Sequence, residues 1–137
     1  IFAFLDPNRK VPPLAYHAAR LRGAMAADCG TCVEAELNLA VQAGLDPVLV
    51  EGLLTGDYAE LPPEIAAVAR LADAVCAGRE DDPEARETVL LAFGEAGLIE
   101  IAFAMNGAAM LPGVKRAMGY ATACDMALLR RQAGFGG

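Results

Sequence analysis

The sequence predicts an all-α protein, a compact bundle of about six to seven helices in a single domain over residues 1–137. Three observations lead there. Segments opened by proline and closed by glycine recur along the chain. Within them, apolar residues return every three to four positions, and no stretch alternates as a half-buried strand does. The apolar fraction is 55%, much of it alanine, which suits closely packed helices. A chain of 137 residues is long enough to build one hydrophobic core.

Pro12-Pro13 opens the first helix, with apolar positions Leu14, Ala18, Leu21 and Met25, running to about Ala27. A second helix starts around Cys29 and stops at Gly44. Asp46-Pro47 reads as N-cap and first residue of a short helix to about Leu54. Thr55 to Leu61 is a loop, and Pro62-Pro63-Glu64 opens a helix to Ala77, closed by Gly78. The polar stretch Arg79 to Asp82 leads to Pro83 and a helix to about Phe93, broken between Gly94 and Gly97. A long helix from Leu98 is expected to break at Leu111-Pro112-Gly113 and to resume from Val114 to about Arg131. The tail from Ala133 to Gly137 reads as frayed.

Charge and cysteine usage narrow the function. A net charge of −7 argues against nucleic acid or an anionic membrane surface as partner. No uninterrupted apolar run reaches the roughly 18 residues that span a bilayer. Ile101 to Val114 contains Asn106, Gly107, Pro112 and Gly113 and reads as a buried helix and a break. Four cysteines do not make a disulfide scaffold at this length. One CxxC with two isolated cysteines, Cys76 and Cys124, suits a reducing compartment, and a cytoplasmic location is expected. The chain begins at Ile1 without a methionine, which is compatible with missing N-terminal residues or a removed targeting segment.

The chemistry lies in Cys29-Gly30-Thr31-Cys32. A dithiol at this spacing closes a disulfide or holds a soft metal, and with a base nearby one thiol becomes a nucleophile. At about 100° per residue, Cys29, Cys32, Glu36, Leu39, Ala40 and Ala43 share one face of the second helix. Glu34, Asn38 and Gln42 take the opposite, solvent face. Glu36 is thus a carboxylate on an apolar face one turn from a thiol. His17, the single histidine, interrupts the stripe of Leu14, Leu21 and Met25. An unpaired buried charge is costly, so the two are expected to meet between the first two helices. Arg20 and Arg22 read as solvated, with Arg20 one turn from His17 and able to pair with Glu36 or a substrate.

The segment from His17 through Cys29-Gly-Thr-Cys32-Val-Glu-Ala-Glu36 resembles the alkylhydroperoxidase D-like branch of the carboxymuconolactone decarboxylase superfamily. That branch carries a glutamate on one helix, CxxC at the start of the next, and a histidine four residues after the second cysteine. The likeness covers mainly residues 14–78. Here the two relay positions hold His17 and Glu36, the family's residue types exchanged. The family's relay passes the thiol proton to histidine with glutamate behind it, so the exchange alters that order. An ionised carboxylate close to a thiol disfavours its thiolate, and an imidazolium favours it.

The resemblance implies a thiol-dependent peroxidase or disulfide oxidoreductase, an antioxidant enzyme acting on a peroxide and reset by a dithiol reductant. Its catalytic residues would be Cys29, Cys32, His17 and Glu36, with no cofactor and no metal. Either cysteine could be the nucleophile. The resemblance further implies a homo-oligomer, a trimer or hexamer. Two other readings stand beside this one: a carboxymuconolactone decarboxylase-like lyase, which has no need of the dithiol, and a non-catalytic redox-sensing oligomeric module. A zinc site would need Cys76 and Cys124 as further ligands, and both lie singly and far apart.

Overall fold

Pro13–Ala27 forms α1, the helix around which the others assemble. A computed structural model describes residues 10–27 and 30–119 of the chain. After α1 come α2 (Thr31–Gln42), α3 (Pro47–Thr55), α4 (Pro63–Ala72) continued by a π-helical segment (Asp73–Gly78), and α5 (Pro83–Ala117). The described residues contain no strand, so the all-α expectation stands. The expected six to seven helices become five α-helices and the π-helical segment among the described residues.

The helix starts follow local chemistry. Asp46 caps α3, its Oδ1 accepting from the Val48 amide at 2.9 Å, with Pro47 as first helical residue. Asp82 caps α5 in the same way, accepting from the Ala85 amide at 3.0 Å ahead of Pro83. The stop of α2 is a Schellman pair: the Gly44 amide donates to Val41 and the Leu45 amide to Ala40, with Gly44 at φ 77°.

Three boundaries differ from the sequence expectation. α2 begins at Thr31, two residues past Cys29, and Cys29 itself lies outside the described residues. The helix from Pro63 widens into a π turn and is closed by Arg79 in the left-handed region (φ 55°), not by Gly78. Pro112 does not break α5, which runs through it to Ala117. Pro112 is fully buried there, and packing of α5 along α1 outweighs one missing backbone hydrogen bond. The break near residue 94 is real but local: Gly94 alone is non-helical, at φ 73° and ψ 177°, and the helix resumes at once. The continuation expected to Arg131, the frayed tail and Cys124 lie outside the described residues.

The core collects on α1, which touches every other helix and packs most extensively on α5. Ala15, Ala18, Ala19, Leu21 and Ala24 are buried on it, so α1 is surrounded rather than amphipathic. Small residues allow this. A Cβ at Gly23 would stand 2.2 Å from the carbonyl oxygen of Met105, so the α1 and α5 backbones cross in near contact. Leu37, Leu53, Leu54, Ile101 and Met105 fill the remaining interior.

The outer face of α5 is different. Ile99, Phe103, Met110 and Val114 are between 44% and 61% exposed and fall on one stripe of the helix. By length and composition α5 is also apolar enough to cross a membrane, with 28% of its most apolar window buried, a test that the core helix of a soluble protein also passes; its longest uncharged run lies between Glu100 and Lys115, in line with the sequence reading.

Candidate functional site

The first two helices carry the candidate site. On α2 the buried positions are Cys32, Val33, Glu36, Leu37 and Ala40. The buried face is therefore turned slightly from the expected one, and Leu39 and Ala43 face out. Val33 and Leu37 are the larger inward anchors, and they set the rotation of the helix. Cys32 at 7% and Glu36 at 6% exposure remain inside, one turn apart on the same side. Cys32 is a free thiol in the first turn of α2.

Glu36 is held by Arg20. The Arg20 Nε donates to Glu36 Oε2 at 2.9 Å and Nη2 donates to Oε1 at 2.6 Å, a two-pronged bond between α1 and α2. Arg20 is not solvated: it is 9% exposed, and a Cβ at Gly107 of α5 would lie 3.7 Å from its Nη1. Burial opposes the guanidinium charge, but Glu36 and the neighbouring Tyr16 outweigh it and raise the Arg20 pKa above its ordinary value. Arg20 is thus a direct partner of Glu36. A planar guanidinium meets both carboxylate oxygens at once.

His17 is 5% exposed, three residues before Arg20 on α1, and its ring meets Tyr16 edge-on at 5.3 Å. The Arg20 guanidinium carbon lies 5.9 Å from the centre of the Tyr16 ring. The structure therefore brings Arg20 and Glu36 together and sets His17 and Cys32 each one turn from that pair.

Two cations of α5 reach the neighbouring ends of α1 and α2. Lys115 Nζ donates to Thr31 Oγ1 at 3.0 Å, and Arg116 Nη2 donates to the Ala27 carbonyl at 3.0 Å. The C-terminal ends of α1 and α5 and the start of α2 thus meet. No sequence signal marked these contacts, which join residues 84 and 89 positions apart. For Arg20 a signal existed: it follows Ala18-Ala19 and precedes Leu21, an apolar setting for a charge.

A second polar cluster stands apart from the first. Arg22 Nε donates to Asp73 Oδ1 at 2.8 Å, and Tyr58 Oη donates to Asp73 Oδ2 at 2.5 Å. Arg22 also donates to the Leu53 carbonyl at 3.0 Å and lies over the Tyr58 ring at 5.6 Å. Burial, then the bond to Asp73, pushes the Tyr58 pKa well up. Cys76, a free and half-buried thiol on the π segment, is pushed up by burial and by the Asp73 charge. Arg22 is half-buried in this cluster rather than solvated. An open apolar cleft of about 330 Å³ between the π segment and α5, lined by Val75, Leu98, Ile99 and Met105, includes none of His17, Arg20, Cys32 or Glu36. Among the described residues no group of three or more His, Cys, Asp or Glu side chains could hold a metal ion.

No family model, curated protein or solved structure matches this chain. The class that the fold and site define is therefore coarse: an all-α bundle with a buried thiol beside an Arg–Glu ion pair.

Proposed function

We propose that the chain is a thiol-dependent peroxidase or disulfide oxidoreductase of the alkylhydroperoxidase D-like kind, with Cys29 and Cys32 as its redox pair. The observation that carries this reading is the buried Cys32 thiol one turn from Glu36, whose carboxylate is fixed by Arg20. A buried ion pair is an expensive way to join two helices, and hydrophobic residues of similar volume often do it as well. Its place beside a CxxC thiol favours a chemical role for it.

In the reaction, a thiolate attacks one peroxide oxygen and the O–O bond breaks. The thiolate sulfur becomes a sulfenic acid, and the departing alkoxide takes up a proton to leave as an alcohol. The second thiol then condenses with the sulfenic acid, forming the disulfide and releasing water. An external dithiol restores both thiols by exchange and leaves as a disulfide. Glu36 and His17 form the polar set available to take and return these protons, with Arg20 holding the carboxylate in place.

The same reading includes a homo-oligomer, a trimer or hexamer, in a reducing, cytoplasmic setting. The stripe of Ile99, Phe103, Met110 and Val114 supports assembly, because exposed apolar side chains aligned along one helix favour burial against a partner.

The test is peroxide consumption with an added dithiol by wild type, Cys29→Ser and Cys32→Ser. Turnover by the wild type and its loss in both variants upholds the proposal. No turnover, or turnover that survives both substitutions, overturns it.

A further inference from the structure

Between Ala96 and Ala117 a line of exposed positions on α5 returns alternately three and four residues apart, at Ile99, Phe103, Asn106, Met110 and Gly113. This spacing is the heptad seam along which one long helix packs against another. The seam begins just after the kink at Gly94 and is about 32 Å long. Within the chain, α5 packs on α1 and α4 through its other side, where Ile101, Ala104, Met105 and Ala108 are buried. Ile99 and Asn106 also line the open apolar cleft beside the π segment, so the exposed surface continues into it.

The charges beside the seam identify what lies against it. Glu95 and Arg116 flank it on one side, near opposite ends, and Glu100 flanks it on the other. A second copy running antiparallel brings Ile99 opposite the partner's Met110 and Phe103 opposite the partner's Asn106. In that register Glu95 meets the partner's Arg116 at both ends of the pair. Arg116 already donates to the Ala27 carbonyl at 3.0 Å, and a guanidinium with five N–H donors accommodates a carboxylate as well. A shift of one heptad in one direction sets Glu100 against the partner's Glu100. The opposite shift leaves Ala102 facing the partner's Arg116. A parallel pairing sets Glu95 against the partner's Glu100. Charge complementarity therefore selects one occupant, a second copy of this chain, in one orientation and one register.

We infer that α5 is an isologous interface, packed antiparallel against the α5 of a second copy about a two-fold axis near residues 104 and 105. The inference deepens the homo-oligomer of the proposed function and rests on that part of it, with no dependence on the redox chemistry. A two-fold pairing occurs in a dimer, or in a hexamer made of three such dimers. It is absent from a trimer whose only axis is three-fold.

The first measurement uses the unmodified chain. A carbodiimide joins a carboxylate directly to an amine, with no spacer between them. Glu95 and Lys115 stand about 30 Å apart along one helix, so a Glu95–Lys115 crosslink forms only between copies. Isotope-labelled and unlabelled chains are mixed, crosslinked and mapped by mass spectrometry. The expected product joins Glu95 of one isotope to Lys115 of the other. The second measurement is a charge swap, read as a dissociation constant by analytical ultracentrifugation. Glu95→Arg and Arg116→Glu are each expected to weaken association by about tenfold, because each turns two attractive pairs into repulsive ones. Mixing the two variants restores it, since every pair again joins an arginine to a glutamate. The double variant in one chain does the same. The crosslink needs no substitution, so it stands even if a variant folds poorly.

A wild type that stays monomeric at micromolar concentration overturns the inference together with the oligomeric part of the proposed function. An oligomer that yields no Glu95–Lys115 crosslink overturns the inference alone, and so does a mixture of the two single variants that stays as weakly associated as each by itself. If the chain crosslinks as expected but shows no dithiol-dependent peroxide turnover, the redox reading fails and the pairing of α5 stands.

Discussion

Arg20 grips Glu36 across the α1–α2 interface with two hydrogen bonds, and both side chains are almost wholly buried. Cys32 and His17 each lie one turn from this pair on their own helices. A buried pair of this kind contributes less through its own attraction than through the charge that would be left alone if one partner went.

Removing one partner is therefore expected to cost more than removing both. Arg20→Met or Glu36→Gln should each lower stability by about 3–5 kcal/mol, and Arg20→Met with Glu36→Leu should recover part of that loss. Urea unfolding of the three variants checks it. Additive losses would show that the two side chains act independently.

The crossing of α1 and α5 tolerates no side chain at position 23. Gly23→Ala would drive a Cβ to 2.2 Å from the Met105 carbonyl oxygen, so the helices must separate. The expected cost is about 1–3 kcal/mol, despite the better helix propensity of alanine. A thermal midpoint equal to or above that of wild type would contradict the close approach.

Alkaline pH is expected to weaken the fold through Cys76 and Tyr58. Both have folded pKa values raised above their ordinary ones, first by burial and then by Asp73. The native state keeps these protons while the unfolded chain gives them up. Their contribution is complete below the unfolded pKa and is lost as pH rises through the ordinary thiol and phenol ranges toward the folded values. Unfolding curves from neutral to alkaline pH should show this decline, and Cys76→Ala with Tyr58→Phe should flatten it. An unchanged slope in that double variant would place the alkaline sensitivity elsewhere.

Tyr58→Phe alone removes the bond to Asp73 Oδ2 and leaves the Arg22 bond to Oδ1. The loss is expected to be about 1 kcal/mol, typical of one hydrogen bond. Differential scanning calorimetry at neutral pH measures it, and no change would mean that water replaces the phenol without cost.

Assembly can be checked separately from chemistry. Light scattering on wild type should give the mass of an oligomer, and Phe103→Glu with Met110→Glu should reduce it by placing two charges on the exposed stripe of α5. A wild-type monomer would remove the oligomeric part of the proposal.

Much of this protein is determined by sequence at short range. Asp46-Pro47, Asp82-Pro83 and Gly44 fix helix ends through bonds that span five residues or fewer, so the residues that make each end are adjacent in the chain. The all-α class and the burial of His17 and Glu36 follow from the same local periodicity. What lies between helices was decided by the fold. Residues 20 and 36 are 16 positions apart, and that Arg20 meets Glu36 depends on how far each helix is rotated about its axis. Val33 and Leu37 set that rotation for α2 by filling the core. Pro112 stays helical because α5 is packed along α1 over a length that one missing bond cannot undo. Lys115 reaches Thr31 across 84 positions, which only the closed bundle brings within 3.0 Å. The sequence supplied the thiols and the charges, and the packing of the helices decided which charge faces which partner.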